Sequence, residues 1–540
     1  MVTMQNNLSS FIKTHLAEVT AFGLFIILWM FGCYVHEPWY DELHAWLIAK
    51  DAPLGEIVFF LPHIEGHPPF FHLLLALPAK LGIAWQWGLR IGNLCSIAAA
   101  YLLIFKSPFP RWIRVTLPFS FFLFYQFSVI ARPYSILMLL LFLLAYYFPQ
   151  KDKRPGLFTS LLGGLCACHL LGLVIACGIT LAWLFEIKAS QPWGQFFKNL
   201  RKDPRFHAML WLLAWALLLT ALLYPTLSIT NFTANATVPG YQRLFYVLFL
   251  APADTVVTNL LSSGYLVHMQ ASFIEYTNAF LISSLAFVLL WLGLPRKKIL
   301  YFVFPYLLTA LIMVFCCFRH HLGILLLLFI WYAWISLPSK TYPAIAHHPV
   351  FKKVTRLFLI LGIVISVAWT VCALVGDAKY PVTDGAEFTQ FMKEHHLSNK
   401  RVFVDWFHPE KFPKSEDLTL LNFNQPIIFY MGKNIFSNFE FPAHSTYNIR
   451  FSIPPEDTPF YLQYWRSQGK PDILLGDVPL HRIFPEEKTP ILDYTIVYQF
   501  KEYNIWKFDP PSSGILNVYV RNDLLDKYNL HGIKEIPTIY

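Results

Sequence analysis

Residues 322–337 read LGILLLLFIWYAWISL and contain no charged side chain. About 20 apolar residues are needed to cross the hydrocarbon core of a bilayer as a helix. Similar apolar runs predict membrane spans at 17–35, 87–105, 115–130, 134–149, 207–227, 278–294, 299–317, 322–337 and 357–375. The stretch 157–187 is too long for one crossing, so we divide it into two short spans with His169 at the external turn. The sequence therefore predicts a polytopic α-helical membrane protein of eleven spans.

The composition of the whole chain excludes an assembly of ordinary soluble domains. Of its 540 residues, 56% are hydrophobic and only 14% are charged, with a mean hydropathy of +0.46. So few charges could not cover that much apolar side chain in water. Aromatic residues reach 17%, which is typical of chains with many membrane–water interfaces.

The positive charges predict how the chain is oriented in the membrane. Residues 1–376 have a charge balance of +13, whereas residues 377–540 have a balance of −4. With the N-terminus in the cytoplasm, 19 of the 25 Lys and Arg residues of the membrane half lie in inner loops. This follows the positive-inside rule and requires no nucleic-acid partner. The domain 377–540 is then extracytoplasmic.

Residues 377–540 have the pattern of a small soluble α/β domain. Helix and strand alternate there, and the segment contains no cysteine. The predicted elements are helices at 386–395 and 460–467 and strands at 401–405, 426–430, 472–475, 495–500 and 503–508.

The first outer loop, 36–86, contains half of the twelve acidic residues of the membrane half. Leu43, Trp46 and Leu47 recur at helical spacing, which predicts a short helix lying on the membrane surface. Asp41 and Glu42 directly precede them. Partial desolvation raises the basicity of a carboxylate, which suits a general base or a metal ligand. The alternative is a solvated loop acid, and composition alone favours it.

The same loop contains the sequence Pro62-His63-Ile64-Glu65-Gly66-His67-Pro68-Pro69. The prolines restrict the backbone after His67, and Gly66 allows a tight turn before it. Such a platform suits an imidazole that binds phosphate or transfers a proton. A purely structural turn is an equally good interpretation.

Cationic side chains occur at the outer ends of several spans, in Arg132-Pro133-Tyr134 and in Arg319-His320-His321. A single arginine there usually extends harmlessly to the lipid headgroups. Two arginines on the side of the acidic loop could instead bind a lipid-linked phosphate. Arg90 is a weaker candidate, and His169 is predicted to be a satisfied interfacial side chain.

The chain resembles the GT-C glycosyltransferases that use polyprenyl-phosphate sugars, especially the dolichyl-phosphate-mannose protein mannosyltransferases and the aminoarabinose transferases of lipid A. The likeness covers most of residues 15–340, with sharp motifs only in the first 140. The matching motifs are Tyr40-Asp41-Glu42, Glu65-Gly66-His67-Pro68-Pro69-Phe70, Arg90 and Ala131-Arg132-Pro133-Tyr134. The aminoarabinose transferases tend to carry Lys where this chain has His67. No outer loop is long enough for the β-trefoil insertion of the eukaryotic mannosyltransferases.

The resemblance implies an inverting transfer of a sugar from a polyprenyl-phosphate donor to an extracytoplasmic lipid, protein or glycan. It implies Asp41 as catalytic base, with Glu42 beside it, and cations on the donor phosphate. The matching or plausible residues for donor or substrate binding are His67, Arg132, Arg319, Glu65, Tyr134, His320 and Arg90. Metal dependence stays open, since Asp41, Glu65 and His67 could bind a divalent metal. The missing insertion and the cysteine-free outer domain favour a bacterial inner membrane.

Two other classes of function stay open at this point. A lipid or polysaccharide transporter would use an aromatic-lined cavity without chemistry, although no acidic or basic residue lies in the middle of a predicted span, as ion-coupled transporters usually require. A non-catalytic partner in envelope assembly would carry a degenerate site.

Overall fold

The computed structural model describes residues 14–190, 192–200, 202–224, 238–261, 271–317, 319–339, 341–404, 418–436, 446–447, 469–476, 493–504, 506–508 and 512–533. The chain divides into two compact units. We call the first, Met1–Val35, Leu54–Leu74 and Gln86–Leu374, the helical unit. We call the second, His36–Pro53, Leu75–Trp85 and Val375–Tyr540, the mixed unit. The sequence predicts instead that the whole of 36–86 belongs to the membrane half.

Among the described residues, seven helices are long and apolar enough to cross a membrane: Leu16–Val35, Trp85–Lys106, Leu170–Ala189, Pro204–Leu222, Phe273–Gly293, Arg319–Ser336 and Pro349–Lys379. Each coincides with one predicted span. Three further predicted spans match shorter apolar helices, Tyr134–Gln150, Pro155–Cys168 and Leu300–Met313. The chain is therefore a membrane-embedded helical protein, and the count of eleven crossings stays a prediction. Further short α-helices among the described residues before 349 are Tyr40–Asp51, Leu54–Phe59, Pro62–Glu65, Phe70–Lys80, Arg111–Thr116, Trp193–Leu200, Gly240–Phe245 and Ala251–Asp254.

The predicted span 115–130 is not a continuous α-helix. A helix ends at Thr116, a 3-10 turn follows at Leu117–Phe119, and a π-helix occupies Phe122–Val129. The break occurs at Pro118, because proline has no N–H to donate. The long helix Pro349–Lys379 satisfies the backbone there: Ser366 Oγ accepts from the N–H of Phe121 at 3.0 Å, and Thr370 Oγ1 donates to the carbonyl of Phe119 at 2.8 Å. Such support lets irregular backbone persist within a membrane protein.

The division of 157–187 at His169 is confirmed. The helices Pro155–Cys168 and Leu170–Ala189 pack against each other, and His169 between them is extended, with φ −160° and ψ 150°. His169 Nδ1 accepts a hydrogen bond from the N–H of Leu171 at 3.0 Å and so caps the second helix.

The mixed unit contains a four-stranded sheet with the order β1-β2-β4-β3, where β1 is Val402–Val404, β2 Ile473–Gly476, β3 Tyr494–Asn504 and β4 Ser512–Arg521. β1 and β2 are parallel, and the other pairs are antiparallel. The helices Gly385–Glu394 and Leu418–Met431 pack against each other. The helix Tyr40–Asp51 packs on Leu418–Met431, and its Leu47 belongs to the core of this unit with Ile427 and Ile473.

The structure corrects three local predictions in this unit. Residues 426–430 form part of the helix Leu418–Met431, because a short apolar run does not distinguish a buried helix from a strand. The strands predicted at 495–500 and 503–508 are replaced by the single strand β3, followed by β4. The helix Tyr40–Asp51 exists, but residues 42–49 are all buried, so it does not lie on a membrane surface. The predicted helix 460–467 lies outside the described residues.

A glycine sets the spacing between two helices of the helical unit. Leu170–Ala189 packs on Leu300–Met313, and a Cβ at Gly178 would lie 2.5 Å from both Cα and N of Pro305. Small residues allow this close approach between helices in a membrane.

We expect Gly178→Ala to destabilise the protein by about 1–3 kcal/mol, because the added methyl meets rigid backbone. The measurement is thermal unfolding of the purified full-length protein in detergent. Gly23→Ala is the matched control, since a Cβ at Gly23 has no neighbour within 4 Å. Equal melting of the two variants would contradict a close contact at Gly178.

Candidate functional site

The segment 62–69 forms a turn that presents His67. Pro62–Glu65 is a single helical turn closed by Gly66, whose φ of 66° is left-handed and whose N–H donates to the carbonyl of Pro62 at 3.1 Å. Glycine adopts this conformation without steric cost. Pro68 and Pro69 then lead into the helix Phe70–Lys80. The local sequence thus fixes the backbone on both sides of His67.

His67 belongs to a group of four imidazoles in the helical unit, which we call the histidine cluster: His67, His169, His320 and His321. The ring centroid of His169 lies 4.9 Å from that of His67 and 5.6 Å from that of His321. The rings of His320 and His321 lie 4.5 Å apart. Three distant parts of the sequence therefore bring imidazoles together.

Tyr134 and Arg132 adjoin the histidine cluster. The ring of Tyr134 lies 5.3 Å from His169 and 5.8 Å from His320. Arg132 is buried, and it lies three residues after the end of the π-helix Phe122–Val129. Burial and then the charge of Arg132 hold the pKa of His67 well below its usual value, whereas Glu65 acts in the opposite direction. His67 is therefore neutral at physiological pH and offers one N–H and one acceptor nitrogen.

Two ring nitrogens of the histidine cluster are buried without a hydrogen bond. Among the described residues, neither Nδ1 of His67 nor Nε2 of His169 has a partner. Buried polar atoms are rarely left in this state, so each calls for an explanation. A bound polar ligand is one such explanation.

Arg319 and Arg90 differ from Arg132 in their surroundings. Arg319 begins the 3-10 turn Arg319–His321 and is partly exposed. Arg90 is buried and donates to two backbone carbonyls, those of Val129 at 2.9 Å and Cys33 at 3.0 Å. Arg90 therefore links separate parts of the helical unit, a role that the sequence did not indicate.

Asp41 and Glu42 lie in the first turn of the helix Tyr40–Asp51, in the mixed unit. Asp41 is partly exposed, whereas Glu42 is fully buried. Glu42 Oε2 accepts from the N–H of Trp39 at 3.2 Å and lies 2.9 Å from Nε2 of His36. The two neighbouring carboxylates thus have different environments, because Asp41 is partly exposed and Glu42 is buried.

His36 forms a buried triad with Glu42 and Asp377, whose Oδ2 lies 2.8 Å from its Nδ1. Burial alone would lower the pKa of His36, but the charges and hydrogen bonds of Glu42 and Asp377 outweigh it and raise the pKa to about 10. His36 is therefore an imidazolium at neutral pH. The sequence predicts neither His36 nor Asp377 as a site residue, because residues 341 positions apart give no local signal.

The predicted site residues thus fall into two groups. In the helical unit, His67, Tyr134 and His320 lie together with His169 and His321, and the charges of Arg132 and Glu65 act on His67. Asp41 and Glu42 belong to the mixed unit. His169 does cap a helix, but it also joins the cluster, which its position at a predicted break could have suggested. Within the described ranges, no three His, Cys, Asp or Glu side chains are arranged to hold a metal ion.

Comparison with protein-family models, with curated protein sequences and with solved structures finds no match to this chain.

We expect His36→Gln to lower the free energy of unfolding by roughly 3 kcal/mol near neutral pH, because it removes the cation between two buried carboxylates. A raised pKa stabilises the folded state fully below the unfolded pKa of 6.5, and this stabilisation is lost as the pH rises through about 10. The difference between wild type and variant should therefore shrink across that range.

The measurement is thermal unfolding of both proteins at several pH values. His395→Gln is the control, since it removes another imidazole of the mixed unit, one bonded to the carbonyl of Tyr528. A difference for His36→Gln that stays constant up to pH 10 would refute the charged triad.

Proposed function

We propose that the chain is an inverting glycosyltransferase of the GT-C type that transfers one sugar from a polyprenyl-phosphate donor to an extracytoplasmic acceptor. The observation that carries this proposal is the buried Arg132 with its charge acting on the histidine cluster. A guanidinium offers forked donors to phosphate oxygens, and neutral imidazoles add N–H donors without adding charge.

In this proposal Arg132 and the histidine cluster bind the donor phosphate. Negative charge grows on that phosphate as the glycosidic bond breaks, and fixed donors in a water-poor site stabilise it. The unsatisfied nitrogens of His67 and His169 would then hydrogen-bond to phosphate or sugar oxygens. Polyprenyl phosphate is already a competent leaving group, so no nucleotide site is needed.

Asp41 is proposed as the general base. It accepts the proton of the acceptor hydroxyl, whose oxygen forms a bond to the anomeric carbon while the bond from that carbon to the phosphate oxygen breaks. The configuration at the anomeric carbon inverts, and polyprenyl phosphate leaves. A base of this kind contributes about 10²–10⁴-fold to the rate. Glu42, buried against His36, positions the helix that bears Asp41 rather than taking the proton itself.

The cellular setting belongs to the same proposal. Seven apolar helices make the chain a membrane protein. We propose a bacterial inner membrane with the N-terminus in the cytoplasm and residues 377–540 outside, where lipid-linked sugars meet lipid, protein or glycan acceptors of the cell envelope.

We expect Asp41→Asn to abolish sugar transfer, because the amide cannot accept the proton. The assay uses purified protein, a panel of polyprenyl-phosphate sugars and crude envelope acceptors. Asp51→Asn is the matched control, since Asp51 ends the same helix and is exposed. Wild-type transfer that survives Asp41→Asn would remove Asp41 as base, and a product with retained configuration would overturn the mechanism. Absence of transfer from every donor would favour the transporter class.

We expect Arg132→Lys and His67→Gln to weaken donor binding by roughly tenfold or more, since lysine lacks the forked donors of a guanidinium and glutamine lacks the ring N–H of an imidazole. The measurement is direct binding of a polyprenyl-phosphate sugar to each purified variant. His63→Gln is the control within the same turn, where His63 Nδ1 pairs with the carbonyl of Tyr224 at 2.8 Å. Unchanged donor binding in both cluster variants would exclude this site as the phosphate site.

A further inference from the structure

The mixed unit also contains a cavity that the proposed roles of Asp41 and the histidine cluster do not involve. It has a volume of about 350 Å³, and its lining comes from three separate segments of the chain. Trp46, Trp85, Phe429 and Tyr430 supply aromatic walls, and Lys50 supplies a cation. Binding pockets for small molecules typically have about this volume and combine apolar walls with a few polar groups.

The aromatic walls of the cavity are held in place before any ligand arrives. The rings of Trp85 and Phe429 meet edge to face, with centroids 5.4 Å apart at 80°, and those of Phe429 and Tyr430 do so at 5.1 Å and 89°. The hydroxyl of Tyr430 donates to Oε1 of Glu37 at 2.8 Å, which fixes the phenol ring. Burial raises the pKa of Glu37, although the bond from Tyr430 opposes this rise. Rigid aromatic side chains lose little conformational entropy on binding.

The polar group of the cavity is Lys50. Its side chain is 48% exposed, and its ammonium lies 3.7 Å from Oδ1 of Asp51. The neighbouring Lys80 donates to the backbone carbonyls of Ala52 and Lys50, at 2.8 and 3.3 Å, and so braces the end of the helix Tyr40–Asp51. The cavity therefore combines flat aromatic faces with a charged donor that solvent can reach.

We propose that this cavity binds a pyranose ring of the acceptor. A pyranose has an apolar C–H face that stacks on an indole ring and a rim of hydroxyls that hydrogen-bond to an ammonium. The volume leaves room for one such ring and part of its neighbour. The hydrocarbon of an acyl chain would gain nothing from Lys50, whereas the carboxylate of a free fatty acid would pair with it. The inference rests on the proposed function, because a glycosyltransferase needs a second substrate site that recognises the acceptor, and it narrows the acceptor class to a saccharide.

The test is a titration of full-length protein with methyl glycosides of glucose, galactose, mannose and N-acetylglucosamine. The protein is reconstituted in lipid nanodiscs without glycolipid, since sugar-based detergents would compete. We expect a glycoside to bind, Trp85→Ala to weaken binding roughly tenfold and Trp85→Phe to retain most of it. Trp87→Ala should bind as wild type does, because Trp87 is exposed and does not line the cavity.

Three results would overturn the proposal: no binding of any glycoside to wild type, equal binding by Trp85→Ala, or Trp85-dependent binding of decanoate in place of a glycoside. The outcome is separable from that of the proposed function. Glycoside binding that depends on Trp85, without any sugar transfer, would contradict the proposed glycosyltransferase activity and support the saccharide site. Sugar transfer at the same rate in wild type and in Trp85→Ala would contradict the proposed acceptor site and support the glycosyltransferase activity.

Discussion

The buried imidazolium of His36, held between Glu42 and Asp377, is the interaction on which the mixed unit depends. It joins the residue after the helix Leu16–Val35, the start of the helix Tyr40–Asp51 and the end of Pro349–Lys379. Without the cation, two buried carboxylates would lose a charged partner with which both are in hydrogen-bond contact, which is strongly destabilising. Asp41 directly precedes Glu42 in the first turn of the same helix.

The helical unit contains a different buried charge, the guanidinium of Arg132. Arg132 is buried beside imidazoles, and its charge, together with burial, keeps His67 neutral. Neutral rings accommodate a buried guanidinium without mutual repulsion while still offering N–H groups. The charge of Arg132 can attract an anionic ligand, whereas the carboxylate of Glu65, which also acts on His67, opposes that attraction.

Much of the helical architecture could be predicted from the sequence, because apolar length alone locates a spanning helix. All seven long apolar helices, and the break at His169, were predicted in this way. The interruption at Pro118 was not, since its backbone is satisfied by Ser366 and Thr370 from a distant helix. For the site, the motifs indicated His67, Arg132 and Asp41. The motifs could not indicate His36 or Asp377, because these two residues come into contact only when the chain folds.

The construction of the mixed unit from three separate segments has a consequence for the order of folding. Segments His36–Pro53 and Leu75–Trp85 leave the ribosome long before Val375–Tyr540, yet Leu47 shares a core with Ile427 and Ile473. The contact between His36 and Asp377 closes a loop of 341 residues, and contacts of such sequence separation form slowly. The early segments therefore keep apolar surface exposed until the segment Val375–Tyr540 has been synthesised. Chains truncated before the C-terminal domain should consequently be the ones that the cell recognises as unfinished and degrades.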